Sequence, residues 1–511
     1  MKKITDILKK TFIGSEESRP HPLKLPLYPS ELTAENISAI FSDCFDFKAF
    51  KIFAGANSSI PVSVFFFDGL VDTAVVSEEI IEPLVRSELF VGCDTSRAAE
   101  LASHGGVYYL PFKESRDLDS LSDDISNGFC CLLFEEAGVA LSFDIKSKTS
   151  RAVSNPTEEK VVKGAKDAFV ETLNINLSLV RKKLHTPKLK TIPTVVGRQS
   201  RTRVCILYLD GIADPETVKE AKRRIDSIDI DGLISSANLE EYIVDFPNSS
   251  FPQLITTERS DKFCMNLLEG RIGIIADGLP IGYLAPGTFS QFIKVPEDNA
   301  SHFIVASALT LLRYLSLTIT LLLPAFYVAV ATFHHEMIPT KLMLSIIASK
   351  QYVPFSTAAE VLGMLLAFEL LQEAGLRLPN SVGQTISIIG ALIVGQSAVE
   401  AKVISPVVVI VIAVAGVTGY TIPNQDLASA LRVTRFLLVI AALISGMYGL
   451  AVGASVFLYR LCTLESFGVA YMTPFAAAHG GKISKAITRW PLRLSKKREK
   501  ALNTPNKRNQ K

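Results

Sequence analysis

Hydrophobic and polar positions divide the chain into two parts of different character. Up to about Asn299, short apolar runs alternate with charged residues, as is typical of soluble α/β domains. Beyond that point, four segments run for 18 residues or more without a charge, which is enough to cross the roughly 30 Å hydrocarbon core of a bilayer. They are Tyr314–Phe333, Val382–Val399, Val403–Gln425 and Phe436–Tyr459. The pattern predicts an α/β N-terminal region of two subdomains followed by an α-helical transmembrane domain.

Local patterns predict the elements of the N-terminal region. The runs "VSVFFFDGLVD" and "FCCLLFEEAGVALSF" are typical of buried strands with turns. Asp214 before Pro215 predicts a helix N-terminus, and "RIGIIADGLPIGYLA" predicts a hairpin that turns at Asp277-Gly278. A polar, turn-rich stretch is followed by Phe169, Leu173, Leu177 and Val180 at helical spacing, which predicts a helix linking the two subdomains.

The predicted organisation has six parts. They are an N-terminal extension (1–33), a first α/β subdomain (34–150), a linker helix (151–190), a second α/β subdomain (191–299), a transmembrane domain (300–480) and a basic tail (481–511).

Charges at the two ends of the chain predict its topology. The N-terminus "MKKITDILKKTFIGSEESRP" has no long apolar core and no small-residue cleavage site, so no signal peptide is expected. From Lys482 onward, the chain carries eleven Lys or Arg and one Glu, which favours a cytoplasmic tail. If both ends are cytoplasmic, the number of crossings is even. We expect four, or six if the interrupted apolar region 341–372 crosses twice rather than lying at the interface or re-entering.

Composition narrows the function further. The 511 residues carry a net charge of only +2, and the seven cysteines are scattered without a CxxC pair, so buried free thiols are expected rather than disulfides or metal ligands. The chain has no phosphate-binding loop, nucleophile elbow or dinucleotide fingerprint. We therefore expect no enzyme, catalytic residue or cofactor. The basic tail favours contact with anionic membrane lipid over nucleic-acid binding, and a solvated end is the alternative.

Polar residues in the apolar half are the candidate functional residues. His334-His335-Glu336 lacks the second histidine that a metalloprotease needs, because Pro339 occupies that position, so no metal site is expected. Carboxylates at membrane depth are costly unless paired, so each is either functional or part of a salt-bridged helix end. The membrane-boundary candidates are His335, Glu336, Glu369 and Glu373 near Arg377, and Glu400 beside Lys402.

One face of the second apolar segment carries small residues at helical spacing. They are Gly383, Ser387, Gly390, Val394 and Ser397. Such a stripe either packs helices together or lines a pore, and both hold if identical chains surround an axis. These five residues are the pore-lining or gating candidates.

Four segments together resemble the A subunit of the GerA family of spore germination receptors. They are "YLDGIADPETVKEAKRRIDSIDIDG", "FPQLITTERSDKFCMNLLEGRIGIIADGLP", "FHHEMIP" and "EAGLRLPNSVGQTISIIGALIVGQSAVEA". The resemblance extends from about Ala34 to Pro474, with one departure at "GAKDAF", where the family more often has a Pro-Arg or Pro-Lys pair before Gly and Phe.

The resemblance implies a role in spore germination. It implies a subunit in the spore inner membrane of an endospore-forming bacterium, acting with a transporter-like B subunit and a lipoprotein C subunit. It also implies a homo-oligomer that forms an ion-conducting path, with His335-Glu336-Met337 and Pro339 as a structural or gating elbow. The alternative is a secondary transporter or its regulatory subunit, although the absence of paired inverted repeats argues against a self-sufficient transporter.

Overall fold

The structure is a computed structural model that describes most of the chain. The described residues are 28, 30–56, 60–107, 112–147, 156, 159, 164–377, 395–476 and 483–509. They form two compact units. The first unit contains the residues up to Ile40, Lys48–Phe67 and Ala74–Ile145, and the second contains Phe41–Phe47, Asp68–Thr73 and the chain from Lys146 onward.

The first unit is built on a five-stranded sheet with strand order β1-β2-β4-β5-β3. Its strands are β1 Phe47–Ala54, β2 Ile60–Phe67, β3 Phe112–Ser115, β4 Cys130–Phe134 and β5 Val139–Phe143. The helices among these strands are α1 Ala34–Ile40, α2 Thr73–Val75, α3 Glu82–Arg86, α4 Thr95–Leu101 and α5 Leu118–Ser126. Short π-helical and 3-10 turns are Val76–Ile81, Glu88–Phe90 and Ala102–Gly106. Strands β2, β4 and β5 confirm the two predicted apolar runs, and α5 covers them with Leu121 and Ile125 fully buried.

The second unit contains another five-stranded sheet, with order β6-β7-β9-β10-β8. Its strands are β6 Leu189–Val196, β7 Thr202–Leu209, β8 Ile255–Thr257, β9 Ile272–Ala276 and β10 Gly282–Ala285. Adjacent strands pair antiparallel, and Ile206 faces Ile192 on one side and Ile274 on the other. Strands β9 and β10 pair antiparallel, which confirms the predicted hairpin. Gly278 in its turn has a φ of 83°, a conformation that suits glycine.

Six helices accompany this second sheet, and together they form what we call the sheet subdomain. They are α6 Leu173–Arg181, α7 Pro215–Asp226, α8 Ser236–Ile243, α9 Ser260–Glu269, α10 Phe289–Ile293 and α11 Glu297–Ala300. Helix α7 begins as predicted, since the Asp214 side chain accepts from the N–H of Glu216 and Pro215 occupies the first turn. Helix α6 buries Leu173, Leu177 and Val180 and packs against α9 and β9.

The C-terminal half is helical. Its helices are α12 Phe303–Phe333, α13 Thr340–Lys350, α14 Thr357–Arg377, α15 Pro406–Gly419 and α16 Gln425–Thr463, and residues 395–400 also form a helical turn. Helices α12 and α16 are the two described helices that are long and apolar enough to cross a membrane. The predicted span Tyr314–Phe333 forms the later part of α12, just after Arg313, which pairs with Asp298 at 2.6 Å.

Two other predicted spans do not appear as full-length helices among the described residues. Within the predicted span Val403–Gln425, helix α15 has only 14 residues. Its length of about 21 Å is shorter than the hydrocarbon core is thick. Asn424 caps the next helix, because its side chain accepts from the N–H of Leu427. Most of Val382–Val399 lies outside the described residues.

The predicted span Phe436–Tyr459 is not one continuous helix. Helix α16 breaks at Ser445 and Gly446, where Gly446 has φ 60° and ψ −136°. A Cβ on Gly453 would lie 2.9 Å from Cδ2 of Leu438, although a continuous helix would separate these residues by about 22 Å. Helix α16 is therefore a hairpin of two side-by-side arms, residues 425–444 and 447–463. At 1.5 Å per residue, the arms are about 30 Å and 25 Å long.

The chain returns to the sheet subdomain after the second arm. Strands β11 Glu465–Ser466 and β12 Val469–Ala470 form a small antiparallel hairpin, followed by α17 Ile483–Ile487 and the 3-10 turns Leu492–Leu494 and Lys500–Leu502. In the tail, Leu502 is buried, Arg498 Nε donates to the carbonyl of Leu268 at 2.8 Å, and Glu499 lies 3.4 Å from Arg271. The tail residues 483–509 are thus folded onto the sheet subdomain, and the alternative of a solvated end is wrong for them.

Candidate functional site: charged residues among the apolar helices

Glu369 on α14 lies between two arginines of the first arm of α16. Its carboxylate contacts Arg435 at 2.5 Å and Arg432 at 3.2 Å, and Arg432 also donates to the side chain of Gln372. The Arg435 side chain is only 3% exposed and that of Glu369 is 19% exposed. Because a buried charge is costly without a partner, this cluster holds α14 against the first arm in one register.

The sequence identified Glu369 but not its partners. Helical spacing placed Glu369 with Glu373 and near Arg377, whereas the structure pairs Glu369 with a helix more than sixty positions later and leaves the Glu373 side chain exposed. The sequence feature that could have identified these partners is the position of Arg432 and Arg435 at the edge of an apolar segment. Charges in such a position require an opposite charge from another helix.

A second buried carboxylate, Glu360, was noted in the sequence only as an interruption. Its side chain is 0% exposed, its Oε2 accepts from the N–H of Ser405 at 2.7 Å, and its Oε1 lies 3.0 Å from Nζ of Lys350. The same ammonium donates to the hydroxyl of Thr357. Glu360 thereby connects the end of α13, the start of α14 and the N-terminus of α15, where a negative charge is favourable.

His334, His335 and Glu336 form the turn between α12 and α13. His334 Nδ1 lies 3.4 Å from the carbonyl oxygen of Ala329. His335 and Glu336 are exposed, in the 3-10 turn His335–Met337. His335 also lines a cavity of about 390 Å³, together with Ile338, Met343, Ile346, Lys350 and Thr357.

The tip of the α16 hairpin meets this same turn. A Cβ on Gly446 would lie 2.9 Å from Phe333 Cβ and 2.9 Å from His334 Cε1. The C-terminal end of α12 therefore lies beside the reversal of α16. Both lie at the ends of their helices that are distant from the sheet subdomain.

The predicted pore stripe is mostly beyond what the structure describes. Gly383, Ser387, Gly390 and Val394 lie outside the described residues, and Ser397 is exposed in the helical turn 395–400. Glu400 is exposed and accepts from the side chain of Gln396 at 3.0 Å. Its expected partner Lys402 instead places its Nζ 4.0 Å from the ring centre of Tyr352, so the salt-bridged helix end is replaced by a cation–π contact.

The sheet subdomain contacts the base of the second arm of α16 and lies within electrostatic range of the base of the first arm. Phe251 and the second arm's Phe457 have ring centres 5.8 Å apart. Beyond that arm, Ser466 Oγ donates to the carbonyl of Gln253 at 2.8 Å and accepts from the N–H of Gly287 at 3.1 Å. Near the first arm, burial and the Asp426 carboxylate raise the pKa of Glu240 to about 7.

The cysteines carry no candidate chemistry. All seven are free, and Cys44, Cys130, Cys131, Cys205 and Cys264 are buried. Burial raises the pKa of the Cys130 thiol to about 12, which keeps it protonated and unreactive. The exceptions to the expected burial are Cys93, which is half-buried, and Cys462, which is exposed at the end of the second arm.

The carboxylates Glu360 and Glu369 are thus paired between helices. The second arm of α16 and the strands after it contact the sheet subdomain. Among the described residues, no group of three His, Cys, Asp or Glu could hold a metal ion.

Comparisons with known proteins bear on these features. Residues 35–501 match the family described as "Bacillus/Clostridium GerA spore germination protein". The chain is 35% identical to spore germination protein KA of Bacillus subtilis, over 89% of this chain and 84% of that one. It is 36% identical to spore germination protein A1 of the same organism, over 75% and 79%. The N-terminal domain of the A subunit of the Bacillus megaterium spore germinant receptor GerK3 is 28% identical, with a TM-score of 0.41, and covers 51% of this chain and 96% of that one.

Proposed function

Because the chain belongs to the GerA family of spore germination proteins, we propose that it is the membrane A subunit of a germinant receptor. It acts in spore germination, and it matches spore germination proteins KA and A1 over most of their length. In this proposal, a nutrient signal is passed between the sheet subdomain and the apolar helices. The transporter-like B subunit and the lipoprotein C subunit of the same receptor are its proposed partners.

The observation that carries the proposal is the attachment of the second arm of α16 to the sheet subdomain, while the first arm begins near Glu240 of that subdomain. The second arm ends in a hairpin whose Ser466 is fully buried between Gln253 and Gly287. A rigid-body shift of the sheet subdomain would therefore be transmitted to the second arm and, through its packing against the first arm, to both, as in helix-shift transitions of known switches.

Germination in the parent organism tests this role. Deletion of the gene should abolish the response to one class of nutrient, and the full-length gene should restore it. Ser466→Ala should delay that response, whereas Ser455→Ala, which removes an exposed hydroxyl on the same arm, should not. Normal germination of the deletion strain with every nutrient would contradict the proposal.

We propose that the sheet subdomain and the tail are cytoplasmic and that the chain crosses the spore inner membrane four times. In this topology α12 and the first arm of α16 each cross outward and the second arm crosses inward. The chain between α12 and α16 supplies the fourth crossing, which is inward. This places Arg432 and Arg435 on the cytoplasmic side, as the positive-inside rule favours. A single span over Phe436–Tyr459 would have left them outside.

Cys462 offers a direct test of that topology, because it is exposed near the base of the second arm. In intact cells, an impermeant thiol reagent should leave Cys462 unlabelled and should label it after permeabilisation. A matched chain with Cys462→Ser and Thr332→Cys, at the exposed far end of α12, should be labelled from outside. The reverse pattern would exclude a cytoplasmic sheet subdomain.

The finer part of the proposal is an ion-conducting path formed by a ring of identical chains. It rests on the small-residue stripe, of which Val394 is the apolar member and the natural dry constriction. Val394→Ser should cause cation leakage or germination without nutrient, and Gly390→Leu should block the response. Leu392→Ala is the control for a position off the stripe. If Val394→Ser behaves as the parent at normal protein level, the stripe serves packing alone.

The alternative is a secondary transporter or its regulatory subunit. Purified protein in bilayers distinguishes the two functions. Discrete conductance that depends on the nutrient and the partner subunits supports the channel, whereas saturable uptake by this chain alone supports the transporter.

A further inference from the structure

The folded tail is hydrogen-bonded to the start of α12. The N–H of Arg489 donates to Ser307 Oγ at 3.0 Å. The Arg489 guanidinium donates to the carbonyl of Asn299 at 2.7 Å and to the carbonyl of Ser301. Helix α17 of the tail also packs against α12. These contacts fix the level of the tail along α12.

The length of α12 sets the depth of these contacts in a bilayer. Its 31 residues give a length of about 46 Å. A bilayer with both headgroup layers measures about 40–45 Å. When α12 crosses the membrane, its first turns therefore lie at headgroup level, and so does the tail that is bonded to them. Phe303, Ile304 and Val305 in the first turn are exposed and can contact lipid there.

The tail carries more positive charge than its own carboxylate can balance. Its exposed cations are Arg493, Lys496, Lys497, Lys500, Lys507 and Arg508. Glu499 is the one carboxylate of residues 483–509, and it lies 3.4 Å from the Arg271 guanidinium. The six cations therefore have no carboxylate within the tail left to pair with.

Four of these cations lie on two paired backbone segments. Lys497 and Arg508 form an antiparallel bridge. Beside it, the N–H of Asn509 donates to the carbonyl of Lys496 at 3.0 Å, and Lys507 precedes Arg508 in the chain. Because this pairing uses main-chain atoms, it holds the four side chains together and does not depend on their charge.

Exposed apolar side chains accompany these charges. Ile483 and Leu494 are exposed, and Trp490 is half-buried. Basic and apolar residues combined in this way are typical of segments that lie at a membrane interface. Basic clusters next to a membrane-crossing helix attract anionic lipid. A nucleic acid would match the charges but not the apolar side chains beside them.

We propose that residues 483–508 and the first turn of α12 form one binding surface for the headgroups of anionic phospholipids. The cations pair with the lipid phosphates, while Ile483, Leu494 and the first turn of α12 contact the ends of the acyl chains nearest the headgroups. The inference rests on α12 crossing the membrane and not on a role in germination, so it can fail while the proposed function stands.

Trp490 reports on the lipid next to the tail, because it is the one tryptophan of the chain. The purified full-length protein is placed in phosphatidylcholine nanodiscs that hold one chain each and contain a minor fraction of phosphatidylglycerol. In one sample only the phosphatidylglycerol carries a bromine quencher, near the headgroup end of its acyl chain. In a second sample an equal amount of phosphatidylcholine carries it instead. Quenching of Trp490 should be about twofold or more greater in the first sample, because each basic residue near the surface favours anionic lipid by a factor of about five.

A charge variant assigns this preference to the tail. It carries Lys496→Gln, Lys497→Gln, Lys507→Gln and Arg508→Gln, and its quenching by the two lipids should be close to equal. The matched control loses four exposed charges outside the tail, through Lys51→Gln, Lys188→Gln, Arg201→Gln and Lys222→Gln. It should keep the parent's preference. An ionic strength of about 1 M should remove that preference, because the Debye length falls to about 3 Å.

Equal quenching of the parent by the two lipids would overturn the proposal, as would a preference that the charge variant retains. Quenching by neither lipid would also overturn it, because the tail would then lie away from the bilayer and its charges would serve a protein partner, such as a second copy of the chain. The two samples of the parent decide the outcome even if the charge variant does not accumulate.

Discussion

The cluster of Glu369, Arg435 and Arg432 permits a quantitative test of how α14 is held against α16. Glu369→Gln removes the carboxylate that contacts Arg435, whose side chain is 3% exposed. Breaking a buried pair by removing one partner costs about 3–5 kcal/mol, since the remaining charge stays buried. We expect the lower end of this range, because the 19% exposure of Glu369 lets solvent screen part of the interaction.

The opposite change should be less damaging. In Arg435→Met, Glu369 keeps Arg432 at 3.2 Å as a partner, so we expect a loss of about 1–2 kcal/mol. Arg432→Met removes an arginine that is 29% exposed and should cost about 1 kcal/mol or less. The double variant Glu369→Gln with Arg435→Met should be more stable than Glu369→Gln alone, because no buried charge is then left unpaired.

Thermal unfolding of the purified full-length protein in one detergent provides the assay. The order of midpoints is the readout, because unfolding of a large membrane protein is governed by rates rather than by equilibrium. Glu400→Gln, which changes an exposed carboxylate, is the matched control and should not shift the midpoint. The reasoning fails if Glu369→Gln matches this control, or if the double variant loses the sum of the two single effects.

Three further predictions concern the sheet subdomain and the α16 hairpin. Glu240 has a pKa of about 7 in the folded protein, above its ordinary value of 4.5. As pH rises, the unfolded state therefore loses this proton at a lower pH than the folded state does. The free energy of unfolding should fall by up to about 3 kcal/mol between about pH 4.5 and 7. Glu240→Gln should flatten that part of the midpoint-against-pH curve, and an unchanged curve would show that Asp426 and burial do not act on Glu240. Gly446→Ala should destabilise the protein by about 1–3 kcal/mol or more, because the backbone there suits glycine and the added Cβ would meet the end of α12. Gly363→Ala is the control, since its Cβ would enter open space, and it should be neutral or stabilising. Equal thermal midpoints for the two variants would contradict the hairpin. Ser466→Ala leaves a buried N–H and a buried carbonyl unpaired and should cost about 1–3 kcal/mol in the same assay, which a midpoint equal to the parent's would disprove.

The sequence by itself determined the class of the protein and many local elements. Apolar runs identified β2, β4, β5 and the later part of α12, because hydrophobic periodicity and length report directly on burial. The Asp214 cap and the Asp277-Gly278 turn were also predictable, since each depends on the chemistry of adjacent residues. The four quoted motifs identified the family that the comparisons confirm.

Tertiary structure alone decided how the charged residues are used. Hydropathy treats the residues around Gly446 as one apolar run, because it does not register a backbone reversal that brings Gly453 beside Leu438. The pairing of Glu369 with Arg435, like that of Glu360 with Ser405, joins residues from different helices. Local spacing cannot predict such pairs, since the need to neutralise a buried charge specifies that a partner exists but not which helix supplies it.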